Sequence, residues 1–267
     1  MPISIVVAGI IIAGAVYFSN VNRPAAPASN GGDTNGGSTI LAETVLDIKP
    51  VSDSDYIVGN PNAPFVIVEY SDTECPFCKN FHASLNRLIT ELGKDGKVAW
   101  VYRHFPLWKS EAGYPALHPA AEKEAQAFEC AGKLGGNTKF WEYANRLYSI
   151  TPSNNQLSPT ELPKIAVAVG LNEAAFNTCL SSGEFAAKVD AQYEEAKSVG
   201  ANGTPFSIII ARDPLDREKV EKTFKELAVK FGSRTENFAI SADNRRIAMN
   251  GAQPYEIVKG LIEALQP

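Results

Sequence analysis

Two cysteines three residues apart, Cys75 and Cys78, enclose Pro76 and Phe77 in the run Cys-Pro-Phe-Cys. If this run opens a helix, one turn brings both sulfurs within bonding reach, so one can attack a disulfide that the other closes. The first sulfur then lies at the helix N-terminus. Unpaired amide N–H groups and the helix dipole favour negative charge there and lower a thiol's pKa. Pro76 suits a first turn, because the N–H it lacks is not needed. Cys78 sits one turn deeper and is expected to be less exposed. The spacing therefore assigns Cys75 as the attacking thiolate and Cys78 as the partner that closes or resolves the mixed disulfide. A zinc half-site and a static disulfide are the competing chemistries. A four-thiolate zinc centre needs a second close pair, whereas Cys130 and Cys179 are far apart in sequence and isolated. His82 falls too far along the same helix face for one tetrahedral centre. Redox exchange is the preferred reading, with no metal and no cofactor.

The flanking pattern supplies the elements such a motif needs. Residues 65–70 (FVIVEY) form a nearly continuous β-prone run, expected for a strand buried on both faces. A polar loop, 71–74, precedes a helix from about Cys75 with apolar residues at Phe81, Leu85, Leu88, Ile89 and Leu92. A second strand follows at 98–102. The order β–α–β implies a parallel pair with a crossover helix. Residues 119–197 then change character, with helical periodicity at 119–134, 139–149, 158–169, 173–181 and 185–199. Strand signals return at 206–211, followed by a helix at 216–231, a strand near 237–241 or 246–249, and a closing helix at 254–265. Residues 41–53 read as a lead-in with an edge strand. The fold class is α/β, interrupted by an all-helical block. The expected boundaries are 41–114 and 199–267 for the two α/β parts and 115–198 for the insertion.

Composition narrows the function classes. A chain of 267 residues that is 45% hydrophobic and 21% charged is neither disordered nor fibrous. Its net charge is −5 with no Lys/Arg block, so a nucleic-acid footprint is absent. Residues 3–18 are apolar apart from Ser4. That length spans roughly 24 Å as a helix, between a signal-peptide core and a membrane helix. Residues 1–21 are read as a signal anchor or a signal peptide. Residues 22–40, rich in Pro, Ala, Ser, Asn and Gly, are read as a flexible tether. Either reading of the N-terminus places the remainder outside the cytosol, and an uncleaved helix with its tether would hold it near a membrane face.

The chain resembles the DsbA family of thioredoxin-fold thiol–disulfide oxidoreductases. The resemblance rests on GNPNAP at 59–64, EYSD at 69–72, CPFCK at 75–79, YRHFPL at 102–107 and GTPF at 203–206. It implies a thioredoxin fold split by a helical insertion, with disulfide donation to secreted proteins outside the cytosol. Carried over by position, Pro205 becomes a cis-proline facing the motif. With Thr204 it would offer a backbone edge to an extended substrate. Glu69 becomes a buried acid that relays protons from Cys78; the plainer reading is a solvated strand-edge residue. The resemblance also implies a second disulfide in the helical block, Cys130–Cys179, against the alternative of two buried free thiols.

One departure matters. Phe77 stands where strong oxidants of the family carry His, and Phe offers neither charge nor hydrogen bond to the thiolate. A milder oxidant is expected. The charged stretch 212–245 is longer than the family's usual connection. His104 and His118 are read as turn or capping residues. The expected partners are unfolded or secreted cysteine-containing proteins and a membrane quinone-linked oxidase that resets the enzyme. A reductase or isomerase, and a metal-binding or docking module with a static CxxC, are the alternatives.

Overall fold

A computed structural model describes residues 48–110 and 113–266. Six strands form one sheet: β1 (Tyr56–Gly59), β2 (Phe65–Ser71), β3 (Val98–His104), β4 (Phe206–Ala211), β5 (Phe238–Ile240) and β6 (Arg246–Asn250). Their order is β1-β3-β2-β4-β6-β5. Among the described residues the α-helical elements are α1 (Pro76–Leu88), α2 (Ala121–Ile150), α3 (Glu161–Ala168), α4 (Glu173–Ser182), α5 (Ala186–Ser198), α6 (Arg217–Phe231) and α7 (Tyr255–Ala264).

Central strands β2 and β3 pair in parallel, from Phe65 opposite Val98 to Ser71 opposite His104, with α1 as the crossover. Strand β4 runs antiparallel to β2, with Phe206 opposite Tyr70. The end of β2 and the start of β4 therefore share one edge of the sheet. That register brings the turn after Ser71 beside the residues before Phe206.

Side chains alternate across β2, as the period of two requires. Phe65 and Ile67 enter the larger core with Trp100, Tyr102 and the buried face of α1. Val68 and Tyr70 enter the smaller core with Val101, Phe206, Ile208 and Tyr193 of α5. Glu69 follows the alternation onto the side of Ile67 and is fully buried. In α1 the buried residues are Cys78, Phe81, His82, Leu85 and Leu88. Spacings of three and four make them a single stripe against the sheet.

Several elements differ from the sequence reading. The lead-in strand is not within residues 48–53; the edge strand is β1, at Tyr56–Gly59. It is too short for its alternation to stand out. Gly59 ends it at φ 95°, and a Cβ there would lie 2.7 Å from the Val98 carbonyl oxygen, so only glycine fits. The two helices expected at 119–134 and 139–149 are the two halves of α2, which meet at a non-helical break at Gly136 (φ 70°, ψ −166°). The next residue, Asn137, pins the break to β1: its Oδ1 accepts the Ile57 N–H at 2.9 Å and its Nδ2 donates to the Ile57 carbonyl at 2.8 Å. Both strand candidates near the C-terminus form, as the antiparallel pair β5 and β6. Helix α6 buries Val220, Phe224 and Ala228 and packs on α7, which gives the long connection at 212–245 a structural purpose.

The apolar segment 1–21 and the tether 22–40 lie outside the described residues. Among the described residues no helix is long and apolar enough to cross a membrane.

Candidate active site

Strand β2 stops at Ser71, and the chain turns at once. The Cys75 N–H donates to the Asp72 carbonyl at 3.2 Å, and the Glu74 N–H to Asp72 Oδ1 at 2.8 Å. Asp72 thus closes its own turn with a side chain, as Asp commonly does. Cys75, in an extended conformation (φ −79°, ψ 121°), caps α1, and Pro76 takes the first helical position. The expected placement of Cys75 at the helix start is therefore met by geometry.

The shared sheet edge then matters. Cys75 Sγ lies 3.4 Å from the Thr204 carbonyl oxygen, to which the thiol donates. The Thr204–Pro205 peptide is cis. Cys78 is fully buried, and its Sγ accepts the Asp72 N–H at 3.4 Å. Both thiols are free. Cys75 is 5% exposed, whereas Phe77 beside it is 63% exposed.

The two sulfurs are driven in opposite directions. The Cys75 thiol is lowered to about 6. Its largest cause is the hydrogen bond from Cys78; burial opposes it, and the Thr204 hydroxyl and the N–H groups of Cys78 and Phe77 add to the lowering. The Thr204 hydroxyl is buried and otherwise without a partner, so it is free to donate to the thiolate. Phe77 contributes through its backbone alone. Burial pushes the Cys78 thiol well above its ordinary range, and the negative charges of Cys75, Glu69 and Asp72 reinforce it. An ionised Cys75 and a protonated Cys78 are the reduced state that this geometry favours.

Glu69 sits beneath the pair. Its Oε1 accepts from Ser71 Oγ at 2.8 Å and its Oε2 from Trp100 Nε1 at 3.0 Å. Burial raises its pKa to about 8 despite both hydrogen bonds. The solvated-edge reading does not hold. A run of hydroxyls continues from it: Ser71 Oγ lies 3.1 Å from the Tyr148 hydroxyl, which lies 3.0 Å from that of Tyr102 and donates to the Asp72 carbonyl at 3.3 Å.

Sequence reasoning missed four residues around the motif. Trp100 anchors Glu69 through its indole N–H. Asp72 is buried, and its Oδ2 accepts the Leu107 N–H at 2.7 Å and His118 Nδ1 at 2.8 Å. Glu124, in the first turn of α2, meets Glu74. Burial and then Glu74 raise its pKa to about 9, while Glu74 Oε2 accepts the Asn155 N–H at 2.5 Å. These contacts join the turn before Cys75 to the helical block, and no local spacing announces them. The remaining histidines lie elsewhere: His82 bonds Asn145 at 2.8 Å and His104 bonds Glu129 at 3.2 Å. Among the described residues no cluster of three or more His, Cys, Asp and Glu is arranged to hold a metal ion.

Cys130 of α2 and Cys179 of α4 are joined, with Cα atoms 5.9 Å apart. They lie in the helical block, not at the motif.

A family model described as Thioredoxin (Thioredoxin_4) matches residues 52–228. The chain therefore belongs to that thioredoxin family. Within it, the fold is the DsbA-like one. DsbA2 of Pseudomonas aeruginosa superposes with a TM-score of 0.56 over 80% of this chain and 96% of that one, at 22% identity. The α-DsbA1 of Wolbachia pipientis gives a TM-score of 0.59 over 83% and 95%, at 18% identity. In sequence, a Na(+)/H(+) antiporter NhaA 1 of Mycolicibacterium vanbaalenii is 32% identical over 161 residues, 59% of this chain and 24% of that protein. The chain thus spans about a quarter of the length of the curated relatives it matches.

Proposed function

We propose that the protein is an extracytoplasmic thiol–disulfide oxidoreductase that introduces disulfides into secreted proteins. The observation that carries this reading is the opposite tuning of two neighbouring sulfurs, with the lowered one against Thr204 and Pro205. Stabilising the Cys75 thiolate stabilises the reduced dithiol, which makes the Cys75–Cys78 disulfide a better oxidant.

The exchange balances in two steps. A substrate thiolate attacks Cys75 Sγ of the oxidised enzyme, the Cys75–Cys78 bond breaks, and Cys78 leaves with the electron pair. Glu69, protonated below about pH 8, supplies the proton that Cys78 takes up, by way of groups or water between them. A second substrate thiolate then attacks the substrate sulfur of the mixed disulfide, and Cys75 leaves as the stabilised thiolate. The substrate loses two electrons and the enzyme gains them. A membrane quinone-linked thiol oxidase withdraws them again. The Thr204 carbonyl beside Cys75 suits pairing of an extended chain with the Thr204–Pro205 backbone. Pro76 and Phe77 modulate the thiolate, Cys130–Cys179 braces the insertion, and residues 1–21 with their tether hold the domain at the membrane.

The test is the oxidation of a reduced, unfolded protein by the oxidised enzyme, compared with insulin reduction, using Cys75→Ser as control. Rapid oxidation lost in Cys75→Ser supports the proposal. Insulin reduction outpacing oxidation would favour a reductase, and activity surviving in Cys75→Ser would end the exchange reading.

A further inference from the structure

We infer that His118, locked against Asp72 at the base of the motif, is a positioning residue for the exchange reaction: its imidazolium offsets the buried Asp72 carboxylate and supplies the positive charge that Phe77 does not. The inference rests on the exchange reading of Cys75 given above.

Asp72 is hydrogen-bonded to both cysteines of the motif. It donates its N–H to Cys78 Sγ at 3.4 Å and accepts the Cys75 N–H on its carbonyl at 3.2 Å. A buried anion there disfavours further negative charge nearby, and Asp72 indeed helps to push Cys78 upward. Two of the hydrogen-bond donors to the carboxylate are uncharged backbone groups, Glu74 N–H and Leu107 N–H. The ion-pair partner is His118, 2.8 Å away, with side-chain exposures of 4% for His118 and nil for Asp72. A pair so shielded is little screened by salt.

His118 is fixed in place from two sides. Its N–H donates to the Leu107 carbonyl at 2.9 Å, and its own carbonyl accepts the Ala121 N–H at 3.1 Å at the entry to α2. The titratable groups that act on it are Asp72, Glu74 and Cys75, all from the turn after β2, and Glu124 of α2 lies in turn against Glu74. Glu124 stays protonated to about pH 9 and adds no charge below that. Burial disfavours a charged His118, but the Asp72 carboxylate outweighs it, and the Cys75 thiolate adds to the upward shift. Interaction between two sites is reciprocal. If the thiolate favours the imidazolium, the imidazolium favours the thiolate to the same degree. A plain helix-entry residue would show no such dependence on the redox state of the cysteines.

That dependence is the test. The His118 ring is titrated by NMR in the full chain, once with Cys75 and Cys78 as a disulfide and once as the dithiol. The expected result is a His118 pKa higher by about one unit in the reduced protein. The same value in both states overturns the inference. His118→Gln provides a second reading, because Gln can still donate to Asp72 Oδ2 but carries no charge. The Cys75 pKa should then rise by about one unit, and its alkylation at pH 6 should slow several-fold. Unchanged alkylation in a folded His118→Gln protein would also overturn the inference; if that variant does not fold, the wild-type titration decides alone. Failure of the cysteines to cycle between dithiol and disulfide would instead remove the exchange reading itself.

Discussion

The molecule holds two cysteine pairs in contrasting settings. Cys130 and Cys179 lie in the helical block among Phe128, Ala131, Phe176 and Leu180, and they are bonded. Cys75 and Cys78 lie where a strand becomes a helix, among N–H groups, a hydroxyl, two carboxyl groups and a histidine, and they are free thiols. An apolar surrounding leaves a thiolate nothing to interact with, so a disulfide there is inert. A helix start surrounds one sulfur with donors and leaves the other buried, so that charge is favoured on only one. What separates a brace from a reactive centre is the polar company each sulfur keeps.

Removing each pair should separate these roles most widely. Cys75→Ser should lower exchange at least about a thousandfold, since the nucleophile itself is gone. The double variant Cys130→Ala, Cys179→Ala should exchange within about twofold of wild type, yet lose about 2–4 kcal/mol in denaturant unfolding. If the double variant lost exchange while folded, the division of roles would fail.

Glu69 sharpens the contrast through pH. Its folded pKa of about 8 stands above its ordinary 4.5. Between those values the unfolded carboxyl is ionised and the folded one is protonated, so the folded state binds more protons. In the reduced protein the contribution of this group to stability should therefore fall as pH rises from about 4.5 to about 8, by at most about 5 kcal/mol, and level off above. Glu124 adds a slope of the same sign up to about pH 9. In Glu69→Gln the amide oxygen can accept from Trp100 and the amide nitrogen can face Ser71. This variant should unfold with a visibly flatter pH dependence; an unchanged slope would show that Glu69 is ionised when folded.

The strand–CPFC–helix order was legible because periodicity switches from two to 3.6 around a motif only four residues long. Pro205 was legible through the resemblance and the β run that follows it. The supporting groups were not. Asp72, His118 and Glu124 come from a turn, a loop and a distant helix, and only the register of β2 against its neighbours and the docking of the helical block bring them together. His118 before Pro119 reads as an ordinary helix entry. Strand β1, with four residues, was too short to display a period, whereas the break at Gly136 was legible because a glycine pair interrupts the helical periodicity there.

Phe77→His gives the smallest change. Its side chain is mostly in solvent, so a histidine there would act through screened charge. The Cys75 pKa should fall below its present value of about 6 by less than about one unit, and the disulfide should become correspondingly more oxidising. No movement in either quantity would mean that the motif's third position does not tune this thiolate.

The asymmetry between the two motif sulfurs is tested most directly by following ultraviolet thiolate absorbance against pH in the reduced protein, with Cys75→Ser and Cys78→Ser beside it. One ionisation near pH 6 is predicted, absent in Cys75→Ser, with Cys78 remaining protonated through mildly alkaline pH. Two ionisations at the ordinary thiol range, or a first ionisation that survives in Cys75→Ser, would contradict the account.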